Sequence, residues 1–146
     1  MKKTIEINFN CHLEAKKECL KIKKMILDFK KIMEAYYAKS KNVFFELSIN
    51  VVNDKKMISI NQQYRNIKAT TDVLSFPQSV CLEAKCDLGD IFINEDELSR
   101  NKNSEFTTLD YFIHSFLHLN GFTHDGDTDF IKMERMHKKL RKIIKV

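Results

Sequence analysis

With 146 residues the chain is long enough to bury one sizeable core, and a single domain over residues 1–146 is expected. A formal net charge of +5 favours an anionic partner over a cationic one, although lysine-rich helix faces are usually no more than solvated surface. No apolar run reaches the roughly 18 residues of a membrane-spanning helix. The opening MKKTIEINFN also lacks the apolar stretch of a secretory signal, so a cytoplasmic protein with no membrane partner is expected.

Residues 3 to 9 alternate, with Ile5, Ile7 and Phe9 on one side, which predicts a first strand. Between Leu13 and Lys39 the apolar residues Ile22, Met25, Ile26, Phe29, Ile32, Met33 and Tyr36 keep the three-and-four spacing of one helix with a buried stripe. Residues 43 to 52 alternate most clearly, predicting a strand, and Asn53 with Asp54 predicts a turn. A short helix over about 57 to 65 follows, and then β-prone stretches at 72–76 and 88–94. Pro77 is expected to close the first of these, because it has no amide for a ladder. A helix from about Thr107 to Asn120 has a hydroxyl cap in Thr107 or Thr108, an acid in Asp110 at its positive end, and Gly121 to stop it. From about Asp129 onward, Phe130, Met133, His137, Leu140 and Ile144 predict a final amphipathic helix.

Cys11, Cys19, Cys81 and Cys86 have neither C-x-x-C spacing nor the density of a disulfide-stapled domain, so reduced thiols acting as small hydrophobes are expected. His12 and His137 stand alone, and hydrogen-bonded packing is the expectation for both.

The segment HSFLHLNGFTHDGD is different. His114 and His118, four apart, leave the same helix face one turn apart. Gly121 then lets the chain curl back, so that His124 approaches the same point from a third direction. Three imidazoles with a place left over suit a catalytic zinc site, in which the ion polarises a phosphoryl or carbonyl oxygen and lowers the pKa of water. Nickel, or another divalent transition metal such as copper or iron, would suit the same donors. The spacing also fits the metzincin protease pattern H-E-x-x-H-x-x-G-x-x-H. There, however, a glutamate follows the first histidine as general base, and Ser115 stands in its place. Glu105, Asp110, Asp125 and Asp127 are the nearby acids, candidates for that role.

The run from His114 to Asp125 is similar to the H-[GS]-x-L-H-L-x-G-[FY]-x-H-D signature of the YbeY family, bacterial endoribonucleases of rRNA maturation. NQQYRNIKATTDVLSFP, residues 61 to 77, resembles the family's second signature, and Leu88-Gly89-Asp90-Ile91 its LGDI strand. Departures are Ser115, where glycine is frequent, and Phe122-Thr123, where Tyr-Asp is usual. The resemblance implies an α+β fold: a small mixed sheet of about four strands covered by about five helices, with the metal site on a helix and the loop after it. It also implies a zinc-dependent cut of single-stranded RNA in maturing the 3′ end of 16S rRNA and in ribosome quality control, with the small ribosomal subunit and assembly factors as partners. Arg65 takes the place of the family's arginine, where it would hold RNA phosphate beside the metal, with Lys68 as a further RNA contact. The alternative for Arg65 is an ion pair with an acid such as Asp72, while Asp72 and Ser75 are expected to be structural. For the whole chain the alternatives are an assembly factor with a structural metal and, disfavoured by Ser115, a metallopeptidase.

Overall fold

A computed structural model describes residues 3–12, 18–101 and 106–144. The elements run β1 (Thr4–Cys11), α1 (Cys19–Lys24), α2 (Ile26–Tyr36), β2 (Phe44–Val52), α3 (Asp54–Arg65), β3 (Val73–Leu82), β4 (Lys85–Asn94), α4 (Glu95–Arg100), α5 (Thr108–Leu119) and α6 (Asp127–Arg141). The four strands form one mixed sheet in the order β1-β2-β4-β3, parallel except for the β3–β4 hairpin. This is the expected α+β architecture.

Alternation along β2 decides which helices cover which face. Phe45, Leu47, Ile49 and Val51 point to one side and join Phe29, Ile32 and Met33 of α2 and Phe112, Ile113 and Phe116 of α5 in the main core. Val52 points the other way, into a smaller cluster with Met57 and Ile60 of α3 and Leu74 of β3. Helix α5 is therefore nearly enclosed, with Leu109, Phe112, Ile113, Phe116, Leu117 and Leu119 all buried.

Four local expectations need correcting. The helix expected from Leu13 to Lys39 is two helices; its first residues lie outside the described ones, and at Met25 the amide bonds to Ile22 in a tight i to i−3 turn. Asn53 is not a turn residue but the cap of α3, its side chain accepting from the Lys56 amide at 3.0 Å. Strand β3 runs on through Pro77. As an edge strand it needs no amide on its open side, and its pairing with β4 shifts register between Pro77 and Val80. Finally, the cysteines are paired, Cys11 with Cys19 and Cys81 with Cys86. Cys81 and Cys86 stand directly opposite in the β3–β4 hairpin, a register that their spacing in sequence does not reveal.

Asp110 fixes the start of α5. Its Oδ2 accepts from the Thr107 amide at 2.8 Å while the Thr107 hydroxyl accepts from the Asp110 amide, closing a capping box. Its Oδ1 accepts from His137 Nε2 of α6 at 3.0 Å and lies 3.4 Å from Arg141. Burial pushes this carboxyl's pKa upward, but the His137 and Thr107 bonds outweigh it and leave the value below the ordinary 3.8. A depressed folded pKa stabilises the fold above the unfolded value, and that contribution is lost as pH falls through the folded one. Asp110→Asn should cost about 1–2 kcal/mol at neutral pH. Thermal melts from pH 7 down to pH 3 should show the gap to wild type closing at the acid end.

Candidate metal centre

The site is built by how α5 ends. Asn120 is the C-cap, and the Gly121 amide bonds to the His118 carbonyl at 3.1 Å while the Phe122 amide bonds to Leu117 at 3.0 Å. That pair of bonds is a Schellman motif, which requires the left-handed φ of +89° that Gly121 adopts. The turn does two things. It aims the Phe122 carbonyl back at His118, whose Nδ1–H donates to it at 3.0 Å, and it returns the chain so that His124 reaches the same point. Because the His118 contact is to a backbone carbonyl, phenylalanine at position 122 leaves it intact.

With Nδ1 protonated, His118 presents the lone pair of Nε2. That nitrogen lies 3.0 Å from His114 Nε2, and one ring nitrogen from each of His114, His118 and His124 lies within 4.8 Å of the others. Two nitrogens held at about 2.05 Å by one tetrahedral ion would be roughly 3.3 Å apart, close to what is seen. A proton between His114 and His118 satisfies only that pair, whereas a cation satisfies all three. Burial, followed by the fields of His118, His124 and His137, holds the His114 pKa down to about 4. His118 is also lowered, first by burial; the Phe122 bond and Asp125 oppose this, and His124 and Arg65 add to it. Uncharged imidazoles are the form that ligates, so the donor set fits a metal ion.

Ser115 follows His114 on the helix but is rotated into the core, fully buried, with no hydrogen-bond partner for its hydroxyl among the described residues. The place that holds a protease's glutamate therefore faces away from the histidines. Of the other acids, Asp110 is committed to the capping box, Asp125 and Asp127 are exposed, and Glu105 lies outside the described residues.

Arg65 is the last residue of α3, on the side of the centre where its charge reaches His118. Its guanidinium donates to the Ser75 carbonyl of β3 at 3.1 Å and lies 5.6 Å from the centre of the Phe76 ring. Asp72 accepts instead from the Val73 amide at 2.7 Å and the Thr71 hydroxyl, as a structural acid would. Lys68 is exposed in the following loop, which Asn61 anchors by donating to the Ala69 carbonyl at 3.0 Å. The two basic residues therefore belong to the α3–β3 side, and the histidines to α5 and its exit turn.

Sequence reasoning missed a further wall of the site. A cavity of about 720 Å³ opens beside His114 and His124 and is walled by α6 and Phe106. Phe130, expected in the buried stripe of α6, is instead 52% exposed at its rim. The three-and-four spacing gave the helix, but not which face turned toward the histidines.

A family model described as Endoribonuclease YbeY matches residues 10–145. A protein of Mycoplasma mycoides subsp. mycoides named Endoribonuclease YbeY is 44% identical over 100 residues, covering 60% of this chain and 60% of its own length. One of the same name from Nitratiruptor sp. is 39% identical over 101 residues, 64% of this chain and 66% of its own. The chain thus spans somewhat under two thirds of these relatives. In fold it is similar to the solution structure of TM1509 from Thermotoga maritima, with a TM-score of 0.58 at 23% identity, covering 94% of this chain and 88% of that one.

Proposed function

We propose, starting from the fact that the chain belongs to the YbeY family, that it is a metal-dependent endoribonuclease cutting single-stranded RNA. The convergence of His114, His118 and His124 beside an exposed arginine is the observation that carries this reading. Zinc suits three imidazoles, and nickel or another divalent transition metal would suit them too. When bound, the ion supplies a Lewis acid and a readily ionised water. What the chain itself adds is orientation. Phe122 holds the His118 ring by its Nδ1–H, and burial, with the neighbouring histidines, keeps the His114 ring uncharged. Arg65, steadied by Ser75 and Phe76, has further N–H donors for phosphate oxygens and offsets charge that grows on them in the transition state. Lys68 extends the same basic flank.

The biological setting that follows is maturation of the 3′ end of 16S rRNA and ribosome quality control in the cytoplasm, alongside the small ribosomal subunit and its assembly factors. A protease reading loses further ground because Ser115 is buried in the core. Metal-loaded protein should cut single-stranded RNA, spare the same sequence as a duplex, and leave casein intact. RNA left whole, or casein digested, would overturn the proposal.

Arg65→Ala should lower kcat/KM on single-stranded RNA roughly 100-fold, with metal content unchanged. Arg65→Lys should recover only part of this, because an ammonium lacks the fork that grips two phosphate oxygens. Full activity in the alanine variant removes Arg65 from the mechanism.

A further inference from the structure

The two flanks of the histidine cluster differ in chemistry. On the α3–β3 side stands the exposed charge of Arg65. On the α6 side the cavity of about 720 Å³, within the size range of small-ligand sites, is lined by His114 and His124 themselves and by two aromatic rings. Phe106 is 39% exposed and set edge-on to Tyr111 with centroids 4.7 Å apart, which fixes its ring. Phe130, one helical turn before the buried Met133, offers more than half of its surface to the cavity rim and to solvent. The same wall carries the carboxylates of Asp110 and Glu134, the latter 3.5 Å from Lys138. The oxygens of Asp110 are taken by Thr107, His137 and Arg141, which leaves Glu134, beside Lys138, to accept hydrogen bonds from the N–H groups of a base edge. Aromatic faces stack on any base.

We propose that this cavity is a nucleobase subsite, in which the base beside the scissile phosphate stacks on Phe130 while the backbone lies toward Arg65. The inference rests on the ribonuclease reading above and deepens it. It also supplies a cause for single-strand preference, since a base paired in a duplex cannot turn into a side cavity.

The test uses full-length protein and a short single-stranded RNA carrying 2-aminopurine at each position around the cut in turn. Stacking on Phe130 should quench the probe at one position beside the scissile bond. Phe130→Ala should abolish that quench and raise KM about tenfold, leaving kcat and metal content unchanged; Phe130→Tyr should behave as wild type. An abasic nucleotide at the same position should raise the KM of wild type by a similar factor and that of Phe130→Ala no further. Wild-type KM in Phe130→Ala, or equal losses in the alanine and tyrosine variants, would overturn the subsite while leaving the nuclease standing. If wild-type protein neither binds nor cuts the RNA, both readings fail together.

Discussion

His118→Ala is expected to abolish stoichiometric metal binding and to reduce cleavage of single-stranded RNA by well over 100-fold. The size follows from what the side chain does. Losing only an outer partner of a metal-bound histidine commonly costs 10–100-fold, so losing one of three ligands must cost more. The fold should tolerate the change. His118 lies on the one face of α5 that is not packed in the core, and the helix end is held by the Gly121 and Phe122 amides and by Tyr37, whose hydroxyl donates to Asn120 Oδ1 at 2.6 Å. Metal analysis, circular dichroism and a gel assay on the same preparations would check it. Activity that survives in a correctly folded, metal-free variant belongs either to a contaminant or to a mechanism without the histidines, and the functional reading would then be lost.

Local signals were legible where one residue type has one physical use. Thr107 with Asp110, and Gly121 after Asn120, marked both ends of α5 because caps obey short-range rules, and with both ends known the His114 to His124 geometry followed. The alternation of β2 was equally plain because Phe45, Leu47 and Ile49 are buried in the main core while Phe44, Glu46 and Ser48 on the other face are only half-buried. What stayed hidden depends on partners distant in the chain. The passage of β3 through Pro77 is possible only because β3 is an edge, and sheet order is not written in any local pattern. Helix α4 has six residues, too few to show a period. The pairing of Cys81 with Cys86 depends on a hairpin register, and the exposure of Phe130 on where the histidines lie relative to α6.

The LGDI segment is a motif with a structural cause. Gly89 has a φ of +120°, and a Cβ placed there would lie 2.1 Å from the Phe76 carbonyl oxygen and 2.9 Å from the Gln78 amide. Its own amide donates to Asp87 Oδ1 at 3.0 Å. On β2, Glu46 pairs with Asp87 and the next residue, Leu47, with Gly89, so Leu88 is the extra residue of a bulge. The bulge changes the parity of the strand: Cys86 and Leu88 face the main core before it, and Ile91 and Ile93 after it.

Gly89→Ala therefore meets backbone rather than a side chain that can swing aside, in a conformation alanine rarely adopts. A loss of at least about 3 kcal/mol is expected, on the order of a 10 °C fall in melting temperature for a chain of this length. Gly126→Ala is the matched control, with a φ of +102° but nothing within 4 Å of the added Cβ, so it should show the dihedral cost alone and melt closer to wild type. Because the clash falls on Phe76, which with Ser75 steadies Arg65, any protein that does fold should lose RNA affinity while keeping its metal. Equal melting of the two glycine variants would mean that β3 yields to the methyl group, and the close approach of β3 and β4 could no longer be what fixes Arg65 against the histidines.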